Sequence, residues 1–159
     1  MARQLWLLRH GDAEPHGSRH DTDRPLTDKG RRQSDVAARA LEHLGCHFDV
    51  ILTSPRVRAR DTARSVGDRL GLEPLIHQPL NAGFDAEQAV TVLAGLPDDA
   101  RLLLVGHNPD FEQIVHDLTG ARVDFKKGGV AAIRVDGGRF GELVMLLRPR
   151  ELEQIADQA

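Results

Sequence analysis

The sequence predicts an α/β fold: a three-layer α/β/α sandwich with a mostly parallel sheet and a C-terminal antiparallel hairpin. Three observations predict it. Short apolar runs alternate with segments of helical spacing, the pattern of crossover connections between parallel strands. The runs are continuous rather than alternating, as in strands covered on both faces. Near the C-terminus the pattern changes, and two strand-like segments flank Asp136-Gly137-Gly138-Arg139, a hairpin signal.

Leu5-Trp6-Leu7-Leu8 is the first buried strand, and it empties into Arg9-His10-Gly11. Residues 12–24, rich in Asp, His, Gly and Pro, read as a loop. Thr27 is a helix N-cap with Asp28 in the first turn. Val36, Ala37, Ala40, Leu41 and Leu44 then recur at helical spacing until Gly45 stops the helix. Phe48 to Leu52 is a second strand, ending at Thr53-Ser54-Pro55. A helix follows from Val57 to Leu70, with Gly71 beyond its end. Leu75-Ile76 is a short third strand, and Glu87 to Leu96 is helical in pattern. Arg101 to Val105 is the clearest strand and runs into Gly106-His107-Asn108-Pro109. Pro109 suits the first turn of a helix that reaches Thr119 and closes at Gly120. Val130 to Val135 and Glu142 to Leu147 form the hairpin.

At 159 residues the chain fits one domain, 1–159, large enough to bury a core. Apolar residues at 40% and charged residues at 28% are an ordinary globular balance. A net charge of −3 argues against non-specific nucleic-acid binding. The single cysteine, Cys46, excludes an internal disulfide framework and fits a reducing compartment. The apolar run before Arg9 is too short for a signal segment or a membrane span, so a cytoplasmic protein without membrane attachment is expected, and a monomer.

Open sheets of this kind bind ligands just beyond the carboxyl ends of their strands. Three strand exits here carry unusual chemistry: Leu8 into Arg9-His10, Leu52 into the segment holding Ser54 and Arg58, and Val105 into His107. Two guanidinium groups and two imidazoles at one crevice suit a small dianion. Arginine offers a planar fork of donors that matches phosphate oxygens. Imidazole serves as a neutral nucleophile or a charged donor near neutral pH. Attack by imidazole on phosphorus gives a phosphoenzyme and divides one hard step into two easier ones. The transferring group carries its charge on equatorial oxygens, so two arginines and a charged His107 would supply what a metal supplies elsewhere. No metal or other cofactor is expected. His16/His20 and His43/His47 lack further ligands and read as surface histidines. Arg56 and Arg60 read as solvated helix residues. Lys126-Lys127-Gly128-Gly129 reads as a solvated turn, with a grip on phosphate or an acidic partner as the sharper alternative.

The same residues carry a resemblance. Leu8-Arg9-His10-Gly11 resembles the Arg-His-Gly signature of the histidine phosphatase superfamily, the phosphoglycerate mutase-like proteins. Ser54-Pro55-Arg56-Val57-Arg58-Ala59-Arg60-Asp61-Thr62 is similar to that family's Ser-Pro-x-x-Arg-Ala-x-x-Thr segment. Val105-Gly106-His107-Asn108 resembles its second-histidine segment, and Arg24-Pro25-Leu26-Thr27-Asp28-Lys29-Gly30 a further stretch. Four ordered segments, each at a strand or helix boundary, are far more specific than one. The resemblance implies a metal-independent phosphatase with His10 as phosphorylated nucleophile. Arg9, Arg58 and His107, with Asn108 beside them, would hold the phosphoryl group. Short length and the Arg-Pro-Leu-Thr segment look most like the SixA-type branch, associated with phosphohistidine on proteins. The implied partner is a phosphorylated protein or a small phosphorylated metabolite. A small-molecule phosphomonoesterase and a non-catalytic phosphate-binding module are the alternatives.

Two departures from the family pattern matter. Larger members place a Glu as proton donor after the third strand, where this chain reads Asn81-Ala82-Gly83-Phe84-Asp85-Ala86-Glu87. Asp85 is the first candidate for that role, with Glu87 and Asp21 behind it. Mutase-like members carry an Asn where this chain has His16. Both departures count against mutase activity.

Overall fold

The computed structural model describes residues 2–137 and 140–158. In chain order the elements are β1 (Arg3–Arg9), α1 (Asp28–His43), β2 (Val50–Thr53), α2 (Val57–Leu70), β3 (Leu75–Ile76), α3 (Ala86–Ala94), β4 (Arg101–Gly106), α4 (Asp110–Thr119), β5 (Val130–Val135), β6 (Gly141–Leu147) and α5 (Pro149–Asp157). They build a six-stranded sheet of order β3-β2-β4-β1-β5-β6. β3, β2, β4 and β1 run parallel, β5 is antiparallel to β1, and β6 is antiparallel to β5. This is the expected sandwich with its terminal hairpin. Of the predicted hairpin turn, Gly138 and Arg139 lie outside the described residues.

The continuous apolar runs divide by pleat, since successive side chains point to opposite faces. Trp6 and Leu8 of β1, with Leu103 and Val105 of β4, pack against α1, α2 and α5. Leu5 and Leu7, with Leu102 and Leu104, pack against α3 and α4. Every one of those side chains except Trp6 is 0% exposed, so both faces of the central strands are closed to water. At about 25 cal/mol per Å² of apolar surface, each such leucine contributes roughly 2 kcal/mol.

α1 starts where expected: Thr27 Oγ1 accepts the N–H of Gly30 at 3.1 Å. Leu44 lies past its end and is 42% exposed, so it does not belong to the core stripe. Asp85 is the N-cap of α3, two residues before the predicted start. α5 is absent from the sequence expectations, yet it buries Leu152 and Ala156 beside α1. The short strand β3 sits at the sheet edge with Leu75 and Ile76 more than half exposed. Among the described residues no helix is long and apolar enough to cross a membrane.

Candidate active site

β2, β4 and β1 are neighbours in the sheet and point the same way, so their carboxyl ends deliver Ser54, His107 and His10 to one edge. Arg9 pairs with Gly106 at the end of the β1–β4 ladder, and the N–H of His10 donates to Gly106 O at 3.1 Å. The N–H of Ser54 donates to Val105 O at 3.0 Å. Arg58 follows on the first turn of α2. The imidazole rings of His10 and His107 lie 5.1 Å apart, and each residue is 7% exposed.

The backbone around His10 permits no extra atoms. A Cβ on Gly11 would lie 2.5 Å from Gly30 O, and one on Gly30 would overlap the backbone of Asp12. The loop after β1 and the start of α1 therefore touch backbone to backbone. Thr62, wholly buried on α2, accepts the N–H of Gly11 at 3.2 Å and donates to Arg58 O at 2.8 Å, tying the two Arg- and His-bearing segments together.

His10 Nδ1 is 2.7 Å from Gly11 O. A carbonyl oxygen only accepts, so Nδ1 carries the proton and Nε2 carries the lone pair. Burial, with the charges of Arg58, Arg9 and Lys127, pushes the imidazole down to about 3, against the partial help of the Gly11 carbonyl. His107 Nε2 is 2.7 Å from Ser54 Oγ, which also accepts the N–H of Arg56 at 3.2 Å. Burial, then His10, Arg58 and Arg56, push His107 to about 3 as well. The expectation of a charged His107 is therefore corrected: without an anion, both rings are neutral.

Arg9 donates from Nη1 to Phe125 O at 2.6 Å, and Arg58 from Nη1 to Asp21 O at 2.8 Å. Burial pushes both guanidinium groups down from their ordinary value, and the nearby carboxylates of Glu112 and Asp21 offset part of it. Among the described residues four buried side-chain nitrogens have no protein partner: Arg9 Nε, Arg58 Nε and His107 Nδ1 in this cluster, and Arg60 Nε further along α2. A buried donor left unpaired costs about 1–3 kcal/mol. Two guanidinium cations and unpaired nitrogens beside a neutral imidazole suit a tetrahedral oxyanion, whose oxygens would satisfy them.

Other expectations fare differently. Asn108 donates both ways from Nδ2, to Glu112 Oε1 at 2.8 Å and to Phe125 O at 3.2 Å, while its buried Oδ1 is unpartnered. Its donors are spent, and an acceptor does not hold a phosphate oxygen, so the expected substrate contact from Asn108 is corrected to a brace for the Phe125 carbonyl. Arg56 is not a solvated helix residue: it stands at the N-cap position of α2, and its side chain donates to Asp21 Oδ2 at 2.7 Å and Asn81 Oδ1 at 2.9 Å. Asp21 is gripped by Arg24, Arg56 and Arg58. Burial raises its carboxyl, but the Arg24 hydrogen bond and the charges of Arg58, Arg56 and Arg24 outweigh that and bring it to about 2. A group ionised to that pH holds no proton to give near neutrality, which removes Asp21 as an acid. Asp85 Oδ1 accepts the N–H of Gln88 in a capping box at the start of α3.

Two contributors, Ser54 and Glu112, were given no role from the sequence, and a third, the Lys126-Lys127 turn, was read first as a solvated turn. Ser54 lies in a quoted segment without an assigned role. Glu112 accepts the N–H of Phe125 at 2.9 Å and so fixes the carbonyl that holds Arg9. The Lys126-Lys127 turn packs against the site: Gly128 N–H donates to Arg9 O and His10 O, each at 3.0 Å, and Lys127 Nζ is 3.4 Å from Asp12 Oδ1.

The comparisons agree with this geometry. The family model described as Histidine phosphatase superfamily (branch 1) matches residues 5–82, which carry three of the four segments quoted above. The SixA homolog of Haemophilus influenzae, a phosphohistidine phosphatase, is 30% identical over 89% of this chain and 93% of its own length. The chain belongs to the histidine phosphatase superfamily. It is a phosphatase of that superfamily, and the alternative of a non-catalytic module is set aside. An uncharacterised protein of Picosynechococcus sp. is 36% identical over 94% of this chain and 98% of its own. The structure of the protein histidine phosphatase SixA complexed with tungstate superposes with a TM-score of 0.85 and 27% identity, covering 94% of this chain and 99% of the other.

Proposed function

We propose that this histidine phosphatase removes phosphate from phosphohistidine on proteins, through a phosphoryl group carried on His10 Nε2. The observation that carries the proposal is the hydrogen bond from His10 Nδ1 to Gly11 O, which leaves the Nε2 lone pair free beside the unpaired nitrogens of Arg9, Arg58 and His107.

His107 takes the tautomer in which Ser54 O–H donates to Nε2 and Nδ1–H faces the anion. Arg9, Arg58 and His107 hold the three phosphoryl oxygens as their charge grows in the transition state. His10 Nε2 attacks phosphorus, and the bond from phosphorus to the substrate's imidazole nitrogen breaks. The leaving imidazole enters protonated on its other nitrogen and departs neutral, so no enzyme acid is needed at the leaving atom. His10 becomes a phosphoimidazolium that keeps its Nδ1 proton. Water then attacks phosphorus, the Nε2 bond breaks, its electron pair returns to His10, and phosphate leaves as a monoanion.

Two further features support the phosphohistidine substrate. Asp21 is ionised and Asp85 is engaged as a helix cap, so neither stands as a ready acid for an alkoxide leaving group. Among the described residues the connections leaving β1 and β3 carry no helix longer than the 3-10 turns Asp21–Asp23 and Gln78–Asn81, beside the Ala13–Leu26 bridge. Likeness to SixA proteins points the same way.

A substrate panel tests the proposal. Proteins phosphorylated on histidine should be turned over with kcat/KM at least ~100-fold above sugar and nucleotide monophosphates. The reverse order would favour the small-molecule phosphomonoesterase.

A further inference from the structure

The molecule is acidic overall, at −3, yet one groove near the site gathers several basic side chains. Between α1 and the start of α5 lies a groove of about 740 Å³, lined by five basic side chains, Lys29, Arg31, Arg32, Arg39 and Arg150, and only two carboxylates. Some of that charge is already met: Arg31 pairs with Asp28, and Arg39 with Asp35 at 3.0 Å. Arg150 only approaches Glu151, at 3.8 Å. Lys29 and Arg32 are exposed and take part in no ion pair among the described residues.

The groove is continuous with the catalytic edge. Gln33, which lines it, accepts the N–H of Asp12 at 2.8 Å through Oε1. The same side chain packs under Gly128, whose N–H holds the carbonyls of Arg9 and His10. Lys127 and Lys29 both act on the Asp12 carboxyl, so cations stand at intervals from the rim of the site along α1 to Arg150, with Lys29 and Arg32 the ones that no carboxylate meets among the described residues.

We infer that this groove docks the acidic surface of the phosphorylated protein, beside the phosphohistidine presented to His10. The inference rests on the proposed phosphohistidine substrate. Charge complementarity selects the partner: exposed cations on an otherwise acidic protein steer an acidic surface and reject a basic one. The lining has no aromatic side chain for base stacking and includes carboxylates, which speaks for a protein rather than a nucleic-acid strand. Flexible Lys and Arg heads held in water keep the contact salt-sensitive.

The test uses the full chain and a triple reversal, Lys29→Glu, Arg32→Glu, Arg150→Glu. The substrates are an acidic protein and a basic protein, each phosphorylated on histidine with phosphoramidate, and p-nitrophenyl phosphate. The wild type should favour the acidic carrier at low salt. The triple variant should lose roughly 10- to 100-fold in kcat/KM on that carrier, by the scale of electrostatic steering, and stay within about twofold on p-nitrophenyl phosphate. Equal kcat/KM for variant and wild type on the acidic carrier would overturn the groove alone. Equal losses on all three substrates in a folded variant would also overturn it, since docking does not act on the small substrate. A wild type inactive on both carriers would overturn the phosphohistidine substrate and the groove with it. Should the reversal not fold, the triple Gln variant carries the same comparison with a smaller expected loss.

Discussion

Ser54 Oγ stands 2.7 Å from His107 Nε2, at the meeting of two adjacent parallel strands. The serine is 0% exposed and its oxygen already accepts from the Arg56 backbone, so its own proton is free for the imidazole. In the mechanism proposed above Ser54 donates that bond, which leaves His107 Nδ1–H for the phosphoryl group. Ser54→Ala should lower kcat/KM roughly 10- to 100-fold, somewhat less than the ~100- to 1000-fold of deleting an oxyanion donor outright. Ser54→Thr should recover part of it. Steady-state kinetics with thermal melts separates this from misfolding, because Tm should shift by only a few degrees.

Asp21 positions Arg58. Its backbone oxygen takes Arg58 Nη1 at 2.8 Å while its carboxylate lies 3.4 Å from Nη2. Asp21→Asn keeps the shape and removes the charge that Arg24, Arg56 and Arg58 share. KM for the phosphorylated substrate should rise about tenfold with a smaller change in kcat. The native carboxyl titrates below its ordinary range, so its stability contribution is full above about pH 4 and is lost as pH falls toward about 2. At neutral pH the variant should lose about 1 kcal/mol after allowance for screening of this part-exposed group, measurable by urea denaturation.

Gly11→Ala should be costly for a residue that merely lacks a side chain. The added methyl would meet Gly30 O at 2.5 Å, and backbone cannot swing aside. An overpacking cost of about 1–3 kcal/mol is expected, together with loss of turnover, since His10 is the next residue. Denaturant midpoints and kcat measured on one preparation check both.

The two buried histidines set a pH dependence. Each stays neutral in the fold down to about pH 3, whereas the unfolded chain takes up the proton near 6.5. The unfolded state binds more protons in that window, so stability falls as pH drops from about 6.5 toward 3. The loss should reach roughly 2 kcal/mol per histidine by pH 5. NMR should show the His10 and His107 ring resonances unmoved between pH 5 and 8. Titration of both near pH 6.5 would contradict the buried, neutral pair.

Much of the site was legible because parallel strands with short exits force their carboxyl ends together. Arg9, His10 and His107 therefore met as expected once the strands were read. The charge state of His107 was not legible, because burial and neighbouring cations are tertiary effects. The brace from Glu112 through the Phe125 carbonyl to Arg9 was hidden for the same reason, since a backbone oxygen leaves no residue-type signal. α5 was legible and missed: Pro149 at its start, Glu151 reaching back to the Arg148 N–H, and Leu152, Ile155 and Ala156 at helical spacing all mark it. Asp85 was picked for position alone, and its capping of α3 through the Gln88 N–H was not read.

The central claim is a phosphoryl group on His10 Nε2. Rapid quench of the wild type with a protein carrying labelled phosphohistidine, followed by peptide mapping, tests it most directly. An acid-labile, alkali-stable label on the peptide containing His10, absent together with turnover in His10→Ala, is the predicted result. Full turnover by His10→Ala, or label on another residue, would contradict it.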